Sequence, residues 1–128
     1  MADDQAVVEV RETGSGTFIQ TARIGRHALT MDEPAAVGGN DAGPGPYDFL
    51  LMALGGCTSM TLRMYAERKK LALRNVAVRL AHRRVHADDC WDCETKADGQ
   101  ISEIVLDITL DGDLTDAERA KLLEIAHK

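Results

Sequence analysis

The cysteines carry most of the chemical information in this chain, and they divide into one isolated thiol and one close pair. Cys57 stands alone, within Ala53-Leu54-Gly55-Gly56-Cys57-Thr58-Ser59-Met60. A thiol among small and apolar residues has two readings. It is either an inert, buried small hydrophobe or a nucleophile whose thiolate attacks a peroxide or a disulfide. The preceding Gly55-Gly56 pair weighs toward the second, because a glycine inside a helix costs about 1 kcal/mol. That cost is tolerated where another backbone or a substrate must approach closely. A kink at the glycines would also leave the backbone N–H groups of Thr58 and Ser59 free to stabilise a thiolate.

The pair is Cys90-Trp91-Asp92-Cys93, preceded by His82 and His86. Cys-x-x-Cys with nearby histidines is half of a zinc-ligand pattern, and the chain has no second Cys-x-x-Cys to complete it. The other readings are a reversible dithiol and an inert exposed loop. Asp88, Asp89 and Asp92 crowd the two thiols, and like-charge repulsion raises thiol pKa values, so a highly reactive thiolate is not expected here. We favour a dithiol or a plain loop, near His86 and outside the core, without bound metal. Cys90, Cys93 and His86 remain the redox or metal candidates.

The elements that must position these residues are legible from periodicity. Val7 to Arg11, Thr17 to Arg23 and Arg26 to Asp32 are β-type stretches separated by glycine turns, an antiparallel meander over residues 6–32. Residues 33–45 form a loop with Pro34, Gly38-Gly39-Asn40-Asp41 and Gly43-Pro44-Gly45. A loop that long in a compact domain is usually functional or mobile. A helix is expected over residues 46–70, with Pro46 suited to its first turn and Asp48 complementing its dipole. From Phe49 to Leu62 it is apolar on nearly every face, the pattern of a buried central helix. Alternation of Val76, Val78 and Leu80, and of Ile104, Leu106, Ile108 and Leu110, predicts a strand pair over 75–111, with the Cys pair at its connection. Thr115-Asp116-Ala117-Glu118 is a capping box opening a helix over 115–128. The order β-β-β-α-β-β-α predicts a single α+β domain, not a doubly wound nucleotide fold.

With 128 residues the chain has room for one core. A net charge of −6 argues against nucleic acid as a partner, and the basic runs at Arg68-Lys69-Lys70 and Arg83-Arg84 read as a solvated rim. The acidic start Met1-Ala2-Asp3-Asp4 does not read as a signal peptide, and Phe49–Leu62 is too short to span a bilayer. A cytoplasmic protein with no membrane partner is therefore expected, with its cysteines reduced. One open sheet covers one side of an apolar helix, so the opposite side calls for a second copy of the chain, a homodimer. Cys57 is then expected to be shielded from bulk water, facing a small cleft near the partner subunit.

The segment from Gly43-Pro44-Gly45-Pro46-Tyr47-Asp48-Phe49 through Leu54-Gly55-Gly56-Cys57-Thr58-Ser59-Met60-Thr61 resembles the central helix of the osmotically inducible protein C (OsmC)/organic hydroperoxide resistance family. The likeness extends through the strand pair and the terminal Leu122-Leu123-Glu124-Ile125-Ala126-His127-Lys128. It implies an OsmC-like α+β fold, antiparallel sheets around a central helix, and an intertwined homodimer with its sites at the interface. It implies a stress-response role, with Cys57 as peroxidatic cysteine acting on a small-molecule hydroperoxide. A dithiol reductant such as a lipoyl protein, and no organic cofactor, come with the same resemblance. The chain matches the branch without the usual activating arginine, since Met31 to Tyr47 contains none. The family's resolving cysteine is expected directly after Lys128. Two functions follow: thiol-dependent reduction of organic hydroperoxides through Cys57, or non-peroxidatic binding of a small apolar or electrophilic ligand at the dimer interface.

Overall fold

The computed structural model describes residues 6–86 and 100–127. It contains β1 (Val8–Glu12), β2 (Gln20–Ile24), β3 (His27–Met31), a 3-10 turn (Ala35–Val37), α1 (Pro46–Lys69), β4 (Leu73–His86), β5 (Gln100–Gly112) and α2 (Asp116–Ala126). This is the expected α+β order, with two antiparallel sheets. The chain divides into two compact units, Met1–Leu50 and Leu51–Lys128.

In the first unit β1, β2 and β3 form a meander in that order. The register Val10↔Ala22 and Ala22↔Leu29 gathers Val8, Val10, Ala22, Ile24, Leu29 and Met31 on one face. Glu9, Arg11, Thr21, Arg23 and Thr30 occupy the other, the alternation that a pleated strand imposes. β2 starts three residues later than the sequence suggests, at Gln20. Thr17 to Ile19 belong instead to the turn, which Thr13 N closes by donating to Ile19 O at 3.0 Å.

The long loop after β3 is tied together by one side chain. Asp32, 1 % exposed, accepts hydrogen bonds from Glu33 N at 2.7 Å, Asn40 N at 3.0 Å and Ala42 N at 3.0 Å. Its own N–H donates to Pro44 O at 3.1 Å. Gly39 lies so close to the Glu33 backbone that a Cβ there has no room. The exit is fixed by Gly45 N donating to the Asp48 carboxylate at 2.9 Å.

In the second unit β4 and β5 pair antiparallel along their whole length. Val76↔Leu110, Val78↔Ile108 and Leu80↔Leu106 form the half-buried inner face. Arg83 and Glu103 pair across the outer face at 2.9 Å. β4 begins at Leu73, ahead of the predicted Asn75, through a bulge between Leu73 and Asn75. The bulge breaks the alternation at Arg74, which is why Leu73 escapes a period-two reading.

The core of this unit is Leu62, Ala66, Leu73 and Leu122, flanked by Tyr65, Leu71, Val76, Ile108, Leu110, Leu114, Ile125 and Ala126. α2 starts with the anticipated capping box: Thr115 Oγ1 accepts from Glu118 N at 3.1 Å, and the Glu118 carboxylate accepts from Thr115 N at 2.9 Å.

Candidate functional site

α1 runs as one continuous helix from Pro46 to Lys69, so the N–H groups of Thr58 and Ser59 stay within the helical ladder and do not lie at a fresh N-terminus. The glycines have a packing explanation instead. A Cβ on Gly55 would sit 2.8 Å from Leu80 Cδ1, whereas one on Gly56 would meet nothing within 4 Å. Gly55 thus lets the helix press against β4, and Gly56 leaves the helix slim beside Cys57.

Gly55, Thr58, Leu62 and Ala66 form the buried stripe of α1, at the three- and four-residue spacing of one helix face. Thr58 Oγ1 spends its proton on Leu54 O at 2.9 Å. Cys57 lies off this stripe and is exposed in the single chain. Ala53, Leu54, Met60, Thr61 and Met64 share its open side. Met60 is 71 % and Met64 61 % exposed, a level at which nothing in this unit accounts for their apolarity. Helical spacing places Cys57, Met60 and Met64 on one face, at i, i+3 and i+7. The thiol is thus presented on an apolar helical surface instead of being sealed in a core.

The other candidates are not gathered around it in what is described. Cys90 and Cys93 lie outside the described residues. His86 is the last described residue of β4, with its side chain outside the description. His82, on the half-buried inner face, stands opposite Ile104. Among the described residues no group of three or more His, Cys, Asp or Glu side chains is placed to hold a metal ion.

Sequence reasoning missed two kinds of polar work. Asp32 is the first: its carboxyl is held below the usual carboxylate range by the Ala42 N–H above all, against the opposing effect of burial, with further help from the Glu33 and Asn40 N–H groups. The second is a pair of guanidinium clamps. Arg63 donates to Leu73 O at 2.8 Å and Arg74 O at 3.3 Å. Arg119 donates to Leu110 O at 2.7 Å and Gly112 O at 3.0 Å. Arg63 follows Cys57 by less than two helical turns, yet its donors are committed to the bulge carbonyls. A fork of donors matched to two adjacent carbonyls is a recurrent use of arginine, but only the folded register reveals which carbonyls are free.

No helix among the described residues is long and apolar enough to cross a membrane. A search among curated proteins finds no match. Among solved structures, a Psychrobacter arcticus 273-4 protein named for osmotic stress induction and detoxification matches with a TM-score of 0.73 at 16% identity, covering 97% of this chain and 83% of that one. An OsmC like protein from Mycoplasma pneumoniae gives 0.71 at 19% identity, with 98% and 82% covered. An organic hydroperoxide resistance protein OsmC from Legionella pneumophila gives 0.67 at 17% identity, with 99% and 85% covered. At such identities these likenesses speak for the fold. Residues 38–128, which include Cys57, match the model of the OsmC-like protein family. The chain belongs to the OsmC-like protein family.

Proposed function

We propose that this protein is a thiol-dependent reductant of organic hydroperoxides, acting through Cys57. The observation that carries the reading is the exposed thiol of Cys57 on an apolar helical face, in a family that includes organic hydroperoxide resistance proteins. In the proposed cycle the Cys57 thiolate attacks the distal oxygen of a hydroperoxide. An S–O bond forms, the O–O bond breaks, and the alkoxide leaves with a proton as alcohol. The resulting sulfenic acid condenses with a thiol of a dithiol reductant such as a lipoyl protein, releasing water and giving a mixed disulfide. The reductant's second thiol then frees Cys57 and closes its own disulfide. The apolar surroundings suit the organic portion of such a substrate, and the cycle requires no organic cofactor or resident metal.

The reading includes a cytoplasmic setting and a homodimer, in which the open side of α1 is completed by a second copy. Cys57 would then lie beside the interface, with substrate entering between subunits. The test is consumption of cumene hydroperoxide with dihydrolipoamide as reductant. Turnover by the native chain, lost in Cys57→Ser, supports the proposal, and no turnover above background rejects it.

A second reading is binding of a small apolar or electrophilic ligand at the same interface without peroxide reduction. It draws on the arginines: the loop Met31 to Tyr47 holds none, and Arg63, on the helix of Cys57, is committed to the Leu73 and Arg74 carbonyls. Adduct formation at Cys57 with an electrophile, in a protein inert to hydroperoxides, would favour it.

A further inference from the structure

The end of α1 and the start of α2 border an open, shallow cleft of about 360 Å³, lined by Tyr65, Lys69, Leu71, Ala117, Glu118 and Lys121. Its floor is apolar because of how α1 stops. Lys70 takes a left-handed φ of 56°. Lys70 N donates to Glu67 O at 3.3 Å and Leu71 N donates to Ala66 O at 2.9 Å, the paired bonds of a Schellman stop. This reversal folds Leu71 back against the core, beside Tyr65.

The rim is rich in donors. The Tyr65 hydroxyl and the Lys69 ammonium have no hydrogen bond or ion pair with a described residue. Among the described residues Lys121 pairs with the Glu124 carboxylate, at 3.4 Å. Glu118, the acid among the described lining residues, turns its carboxylate to Thr115 N at 2.9 Å and is committed to the helix cap. Apolar side chains lined up with a few polar donors are the usual make-up of a small-molecule site. Tyr65 and Lys69 also lie off the Cys57 face, about 12 Å and about 18 Å further along the helix.

We propose that this cleft binds a small carboxylate bearing an aliphatic tail. The tail lies on Leu71, Ala117 and the Tyr65 ring, and the carboxylate takes the Lys69 and Lys121 ammonium groups and the Tyr65 hydroxyl. A short hydrated anion leaves the floor unused, and a neutral alcohol leaves the ammonium groups unused.

Titration of the intact protein with octanoate, followed by backbone amide NMR, tests this. Octanoate should saturably shift the amides of Tyr65, Leu71, Ala117 and Lys121. Octanol and butyrate should each bind more weakly, and Lys69→Gln/Lys121→Gln should weaken octanoate by about fivefold to tenfold, the range of two exposed charge contacts. Octanol binding as tightly as octanoate, an unaffected double variant, shifts centred on the Cys57 face, or no saturation would each overturn the proposal.

Discussion

Asp32 shows how one side chain organises a segment that composition marks only as loop. Three backbone N–H groups converge on its buried carboxylate, and they depress its pKa. A depressed carboxylate contributes stability that is complete above its unfolded value, near 4, and that fades as pH falls through the lower folded value. Acid titration followed by amide NMR should therefore show residues 33–45 loosening only in the acid range. Asp32→Asn should lower the melting temperature at neutral pH and remove that part of the acid dependence, because an amide offers one acceptor where the carboxylate offers two. An Asp32→Asn protein with unchanged melting temperature would contradict the hub. Cys57 was legible because thiol chemistry attaches to residue type. Asp32 was not, because its role depends on partners ten residues away that only the closed loop brings near.

At the scale of elements, periodicity and caps transferred well: α1, the strand pair and the capping box at Thr115 stand within a few residues of where pattern places them. What pattern could not supply was the reason for Gly55-Gly56. Both were read as a site of close approach or kinking, and the structure separates them: one meets Leu80 and the other open space. Gly56→Ala should therefore stabilise the chain by up to about 1 kcal/mol, the glycine-to-alanine difference within a helix. Gly55→Ala should gain less or lose stability, since its Cβ must displace Leu80. Thermal or urea unfolding of the two variants decides it, and equal gains would mean that α1 does not press on β4 as described. The α1 stop at Lys70 was likewise invisible, because a lysine in the left-handed region carries none of the glycine signal that marks most helix ends.

For the molecule as a whole, the apolar run from Phe49 to Leu62 was read as burial on all sides, whereas one chain buries a single stripe. The remainder, with Leu54, Met60 and Met64 exposed, is more apolar surface than an isolated subunit usually keeps. In the other unit, Val8, Val10 and Leu29 of the meander are likewise exposed. From the sequence, the side that one open sheet leaves uncovered is assigned to a second copy of the chain. If a second copy covers it, folding and association are linked, and the melting temperature should climb as protein concentration rises. A concentration-independent melting temperature in a monomer would remove the interface from the proposed site.

The central claim is that Cys57 is the atom oxidised by hydroperoxide. It is tested most directly by trapping the sulfenic acid with dimedone, in a Cys90→Ser/Cys93→Ser background, after addition of one equivalent of cumene hydroperoxide. Peptide mass spectrometry should find the adduct on the Cys57 peptide, formed as fast as peroxide disappears. Peroxide consumed with Cys57 still a free thiol, or no reaction of Cys57 with hydroperoxide at all, would contradict the account.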